Sequence, residues 1–307
     1  MTSMAKAKLK KKKIPRIIAI VYDFDGTLSP NNMQEDTILD SYGLDHKKFW
    51  AKSNELMVKK GYERTLAYLK LLACDEPFKS KPLTAQFLRG LATRIQYYEG
   101  VNSGYFDRIQ KFMNSIPEVP EWGIKLEHYI ISSGLKDILE GTSIRKYFKE
   151  IYACEYAYEN GRPVFPKLVI NDTNKTQFLF RINKGKLRLS ESINQHTPAS
   201  ERRIPFHNMI YVGDGLTDVP SMTLVHKSGG YAIAVYDPAK KVPESISDMV
   251  SEKRAEHFAP ADFRESALLV KIIQRTLKKI IHGISYDASS QLSLDWVAKE
   301  YPDVKKS

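Results

Sequence analysis

Four unbroken apolar runs alternate with helical stretches along the chain, and each run ends on residues with chemistry to offer. The first, Ile17-Ile18-Ala19-Ile20-Val21, leads into Asp23-Phe24-Asp25-Gly26-Thr27. The second, Tyr129-Ile130-Ile131, leads into Ser132-Ser133-Gly134. The third, Met209-Ile210-Tyr211-Val212, leads into Gly213-Asp214-Gly215, and the fourth, Tyr231 to Val235, into Tyr236-Asp237-Pro238. Short runs without polar alternation read as strands buried on both faces, as in a parallel sheet. With helical segments between them, the expected class is α/β with a parallel-sheet core.

Residues Asn31 to Trp122 break this rhythm and show helical spacing instead, in Leu66, Leu69 and Leu72 and again in Tyr105, Ile109, Phe112, Met113 and Ile116. Pro77, Pro82, Gly100, Pro117 and Pro120 punctuate the stretch. It reads as a compact helical insertion placed to cover the two aspartates and keep water from them. The expected division is a basic tail over 1–16, a core over 17–30 and 123–284, an inserted helical cap over 31–122 and a weakly patterned tail over 285–307. Within the core, Asn160-Gly161 between strand-like runs signals a hairpin. Asn183 to Asn208 reads as a polar surface excursion, and Arg264 to Ile281 as a closing helix.

Apolar content of 42% and charged content of 27% are ordinary for a globular chain of 307 residues. No apolar stretch approaches a membrane span, so no membrane partner is expected. Two cysteines, Cys74 and Cys154, argue against a disulfide framework and suit the cytoplasm. Seven of the eleven net positive charges lie in residues 1–16, which hold no acid. Such a run is most often a solvated end, although it offers a route to nucleic acid or anionic lipid.

Two carboxylates at the carboxyl end of a central strand are costly unless a cation or a reaction needs them. Asp23 suits a nucleophile that attacks phosphorus, and Asp25 a general acid/base for the leaving oxygen and then for water. Asp214 and Asp218 add oxygen donors at another strand end. Carboxylates without clustered His or Cys point to a hard cation, Mg²⁺, and the seven histidines show no zinc spacing. Asp214 is the better direct ligand; Asp218 and Thr27 are placed behind it as supports. Ser132, with the amides of Ser133 and Gly134, suits a phosphoryl cradle, although an ordinary N-cap serine looks the same. Lys175 follows the candidate caps Asp172, Thr173 and Asn174, where a cation opposes the helix dipole; aimed at a phosphoryl group it would offset transition-state charge. Asn31, Asn32, Met33, Gln34 and Glu35 are the candidates for substrate contact.

In this order the four motifs resemble the phosphatase branch of the haloacid dehalogenase superfamily, over residues 16–29 and 124–275. The resemblance implies a Rossmann-like sheet with a helical cap. It implies Asp23 as nucleophile, Asp25 as acid/base, and Mg²⁺ held by Asp23, Asp214 and the main-chain carbonyl of Asp25. Ser132 and Lys175 would bind the phosphoryl group. Asp25 matters most, because dehalogenases lack an acid there and transport ATPases carry threonine. The cap and the hairpin before Lys175 make the chain similar to phosphoserine phosphatases, but the cap is longer, so the resemblance implies the reaction and not the substrate. The expected function is hydrolysis of a small phosphorylated metabolite. The alternatives are a macromolecular substrate (a nucleic-acid end or phosphoprotein), phosphotransfer to another acceptor, or a non-catalytic binding module.

Overall fold

The computed structural model describes residues 14–242, 252 and 254–300. Most of the expected basic tail, residues 1–13, lies outside them. Seven strands form one sheet in the order β4-β3-β2-β1-β5-β6-β7. They are β1 (Ile17–Tyr22), β2 (Lys125–Leu135), β3 (Phe148–Glu159), β4 (Arg162–Leu168), β5 (Met209–Gly213), β6 (Tyr231–Tyr236) and β7 (His257–Pro260). Only β3 and β4 pair antiparallel; the other neighbours are parallel. β1 lies at the centre, and Ile18 through Tyr22 are fully buried. Ile18, Ile20 and Val21 each contribute about 2 kcal/mol by leaving water. That burial on both faces is why the run carries no polar residue.

Helices α1 (His46–Lys60), α2 (Arg64–Cys74), α3 (Glu76–Ser80) and α4 (Ala85–Leu91) follow β1. Asp45 caps α1 through the Lys48 amide, and Gly61, in the left-handed region, ends it. Leu69 and Leu72 are buried as their spacing predicts, but Leu66 is exposed. The remaining helices are α5 (Phe106–Asn114), α6 (Glu118–Trp122), α7 (Lys136–Glu140), α8 (Lys175–Lys184), α9 (Val219–Lys227) and α10 (Leu268–Glu300).

Three expectations change. Tyr105 and Phe106 pack against Tyr22, and Phe106 also against His128 and Phe148, so the last part of the expected insertion lies on the sheet rather than over its end. The closing helix runs to Glu300, so residues 285–300 of the expected tail are helical. The second strand runs through Ser132, Ser133 and Gly134 to Leu135, and its helix begins only at Lys136. The predicted hairpin forms with Asn160 at φ 50° and Gly161 at φ 75°, the pair of positive values that a tight primed turn requires.

Candidate active site

Asp23 leaves β1 and Asp214 leaves β5, the adjacent strand, and the Asp23 amide donates to the Val212 carbonyl at 2.9 Å. The chain builds β2 to β4 on one side of β1 and β5 to β7 on the other. These two ends therefore flank the point where the strand order reverses, the usual ligand crevice of an open sheet. Carboxylate oxygens of Asp23, Asp214 and Asp218 lie within 4.8 Å of one another. Two glycines make that density possible. A Cβ on Gly26, which has φ +75°, would sit 2.1 Å from Asp214 Oδ2, and one on Gly213 would sit 2.4 Å from Asp218 Oδ2.

Lys175 opens α8 and is 1% exposed. Its Nζ stands 2.9 Å from Asp23 Oδ2 and 2.8 Å from Asp218 Oδ1. The Tyr211 hydroxyl donates to the same Asp218 oxygen at 2.7 Å. Asp172, Thr173 and Asn174 do not cap this helix; the Asn174 side chain bonds back to the amide of Asn171 and the carbonyl of Val169.

The charge balance is set by burial. Burial and then the Asp218 charge push Asp23 well above the ordinary carboxylate range, against the pull of Lys175. Burial raises Asp25 to about 7, although its hydrogen bond from the Met33 amide, 2.8 Å, works the other way. Burial and Asp218 raise Asp214 to about 7. Burial works to deprotonate Lys175, but Asp218 and Asp23 outweigh it and carry its pKa upward. One ammonium thus faces a surplus of carboxylates. The donors are all oxygen, and buried Asp218 Oδ2 has no hydrogen-bond partner among the described residues. This is the chemistry a hard divalent cation would complete, with Asp23 and Asp214 as its natural ligands.

A cavity of about 450 Å³ opens over the acids. The core contributes Asp23, Asp25, Ser132, Ser133, Asp172, Lys175, Asp214 and Thr217 to its wall. Gln34 and Asn32 enter from the loop after β1. Helix α1 adds Trp50, Ser53, Asn54 and Met57, and α2 adds Arg64, Thr65 and Tyr68. These seven escaped the sequence reading. Their signal was the i, i+3, i+4, i+7 stripe of α1, which mixes polar and apolar residues and so does not register as a core face.

Several predicted residues are elsewhere. Met33 is fully buried, its sulfur accepts from the Leu135 amide, and Gly134 lacks a Cβ where Met33 packs. The Gly134 amide donates to Ser132 Oγ at 2.9 Å, so it does not point to the cavity as a cradle would. The Glu35 carboxylate accepts from Trp50 Nε1 at 2.5 Å and Asn32 at 3.0 Å, which fixes the Trp50 wall. Thr27 is fully buried and its hydroxyl has no partner among the described residues.

No family model matches the chain. An uncharacterised protein of Borreliella burgdorferi is 31% identical over 287 residues, covering 85% of this chain and 96% of its own length. Among solved structures, a phosphoserine phosphatase in a phospho-aspartyl intermediate analogue form superposes with a TM-score of 0.50 at 17% identity, over 85% of this chain and 99% of that one. A probable phosphoserine phosphatase from Vibrio cholerae, unliganded, also gives 0.50 at 16% identity, over 90% of this chain and 68% of that one. The chain therefore belongs to one family with the B. burgdorferi protein, and it shares the fold of the phosphoserine phosphatases on which it superposes.

Proposed function

We propose that this protein is a Mg²⁺-dependent phosphomonoesterase that hydrolyses a small phosphorylated metabolite in the cytoplasm. The observation that carries the reading is the meeting of Asp23, Lys175, Asp214 and Asp218 at one strand junction beneath a roofed cavity. Asp23 attacks phosphorus, forming an acyl-phosphate bond as the ester P–O bond breaks. Asp25, whose pKa burial raises to about 7, gives its proton to the departing oxygen. It then takes a proton from the water that attacks the aspartyl-phosphate, releasing inorganic phosphate and restoring both carboxyl groups. Lys175 keeps Asp23 oriented and places positive charge beside the transferring group. Ser132 and Ser133 line the same wall and suit its oxygens. Asp23 and Asp214 would hold Mg²⁺, together with the Asp25 carbonyl. The bound ion would supply positive charge to offset the phosphoryl oxygens.

The roof formed by α1 and α2 favours a small substrate over a nucleic-acid end or a phosphoprotein. The test is release of phosphate from an aryl phosphate with and without Mg²⁺. Activity that needs the ion and disappears in Asp23→Asn supports the reading; activity that Asp23→Asn leaves intact overturns it.

A further inference from the structure

The half of the cavity away from the strand ends holds donors and acceptors that the fold itself does not use. Gln34 is 3% exposed and Ser53 6%, and both line the cavity. Neither side chain has a hydrogen-bond partner among the described residues. Ser289 and Ser293 of α10 bond back to the carbonyl four residues earlier, as helical serines commonly do. Ser53 of α1 does not, which leaves its hydroxyl to the cavity. Buried polar groups are ordinarily paired, so two free ones on one wall mark the place of a ligand. Asn54 adds a third unpaired side chain, and Asn32 adds a side-chain carbonyl, its amide N–H going to Glu35.

These groups are neutral. Outside the catalytic cluster the charged side chains of the lining are Arg64 and Asp172, which face one another at 3.9 Å and are 67% and 41% exposed, so they offset each other at the rim. An ammonium or carboxylate held beside Gln34 and Ser53 would be buried without a counterion, which is costly. A hydroxyl both donates and accepts, and so matches an amide and a serine equally well. Trp50 supplies the apolar part of the wall. Its indole N–H is taken by Glu35, so the ring offers surface rather than a hydrogen bond.

We infer that the substrate is a sugar or polyol monophosphate, with Gln34 and Ser53 binding its hydroxyls and Trp50 packing against its carbon face. This rests on the phosphomonoesterase reading above and names the leaving group. An amino-acid phosphate would place its two charges at the rim, parting Arg64 from Asp172, and would leave Gln34 and Ser53 without partners. A nucleotide would bring a flat base, but Trp50 and Tyr68 meet edge to face at 69°, so they form no parallel pair to enclose one.

The test compares kcat/KM of the full chain, with Mg²⁺, for ribose 5-phosphate, glucose 6-phosphate, glucitol 6-phosphate, O-phosphoserine, adenosine monophosphate and an aryl phosphate. The expected result is that one of the first three exceeds O-phosphoserine and adenosine monophosphate by about tenfold or more. Ser53→Ala and Gln34→Met should each lower the ratio of kcat/KM for that substrate to kcat/KM for the aryl phosphate about fivefold, one neutral hydrogen bond apiece, chiefly through KM. Alanine is the better helix former at position 53, and unchanged melting temperatures establish that both variants remain folded. Preference for O-phosphoserine or adenosine monophosphate overturns the inference. So does a ratio that both variants leave unchanged. Turnover of the aryl phosphate without preference for a sugar or polyol phosphate overturns this inference alone, whereas no turnover of any ester overturns the phosphatase reading and this inference with it.

Discussion

Lys175 shows how one side chain carries both stability and chemistry. Two carboxylates, on Asp23 and Asp218, are buried against its ammonium, so removing it leaves charge with no counterion. Lys175→Met should cost about 3 kcal/mol at pH 8 in cation-free buffer, by urea unfolding. The loss should shrink as pH falls, because Asp23, whose pKa burial already raises, then takes up a proton. His128 makes the opposite pH statement. Burial lowers its pKa to about 3, and its ring stacks on Tyr22 and accepts or donates one hydrogen bond there. The folded state therefore holds it neutral, and its share of stability is complete above the unfolded value near 6.5. That share is lost progressively as pH drops from there toward 3. In His128→Phe the slope of stability between pH 6 and pH 4 should flatten by about one proton; an unchanged slope would show that other groups dominate acid unfolding. At this scale the acids were legible, since carboxylates at the end of a buried strand have few bland explanations. The roles of Met33 and Gly134 were not, because packing against a residue a hundred positions away leaves no local trace.

At the scale of elements, the strands were the most legible. A strand buried on both faces must be apolar throughout, and no other short element demands that. The hairpin was equally plain, because Asn160 and Gly161 are the residues that tolerate positive φ. Gly161→Val should destabilise the fold by about 1 kcal/mol by forcing a branched side chain into that region, measurable as a lowered urea midpoint. The missed strand β7 is short, lies at the sheet edge and ends on Pro260, so it has neither length nor a clean pattern. The far half of α10 was missed because Gly283, Ser285, Ser289, Ser290 and Ser293 dilute its helical signal. The helices over the cavity carry their own prediction. Tyr68 on α2 donates to the Ser133 carbonyl at 2.6 Å, and Tyr156 donates to the Leu69 carbonyl at 2.5 Å, tying α2 to the sheet. Trp50 and Arg64 touch the cavity without touching Asp23. Trp50→Ala and Arg64→Ala should thus raise KM for the physiological substrate about tenfold or more, while kcat for a small aryl phosphate changes little. A collapse of kcat for both substrates would instead place these residues in the chemistry.

At the scale of the molecule, the cation is expected to act on the fold as a whole. Its ligands come from strands distant in sequence, so the unfolded chain has no comparable site. Mg²⁺ at a hundredfold excess over its Kd should stabilise the protein by about 2.7 kcal/mol, read as a rise in Tm. Asp214→Asn should abolish that rise and Leu292→Ser should leave it intact. Among the described residues no helix is long and apolar enough to cross a membrane.

The amino-acid order by itself determined the strand runs, the hairpin turn and the four chemical motifs. Each of these follows from a local rule of burial, backbone angle or charge that neighbouring residues obey together. Only the tertiary structure decided that Lys175 pairs with Asp218 as well as Asp23, that α1 and α2 supply the cavity wall, and that α10 extends to Glu300. Those facts depend on which distant segments meet, and periodicity records that a face is buried without recording what buries it.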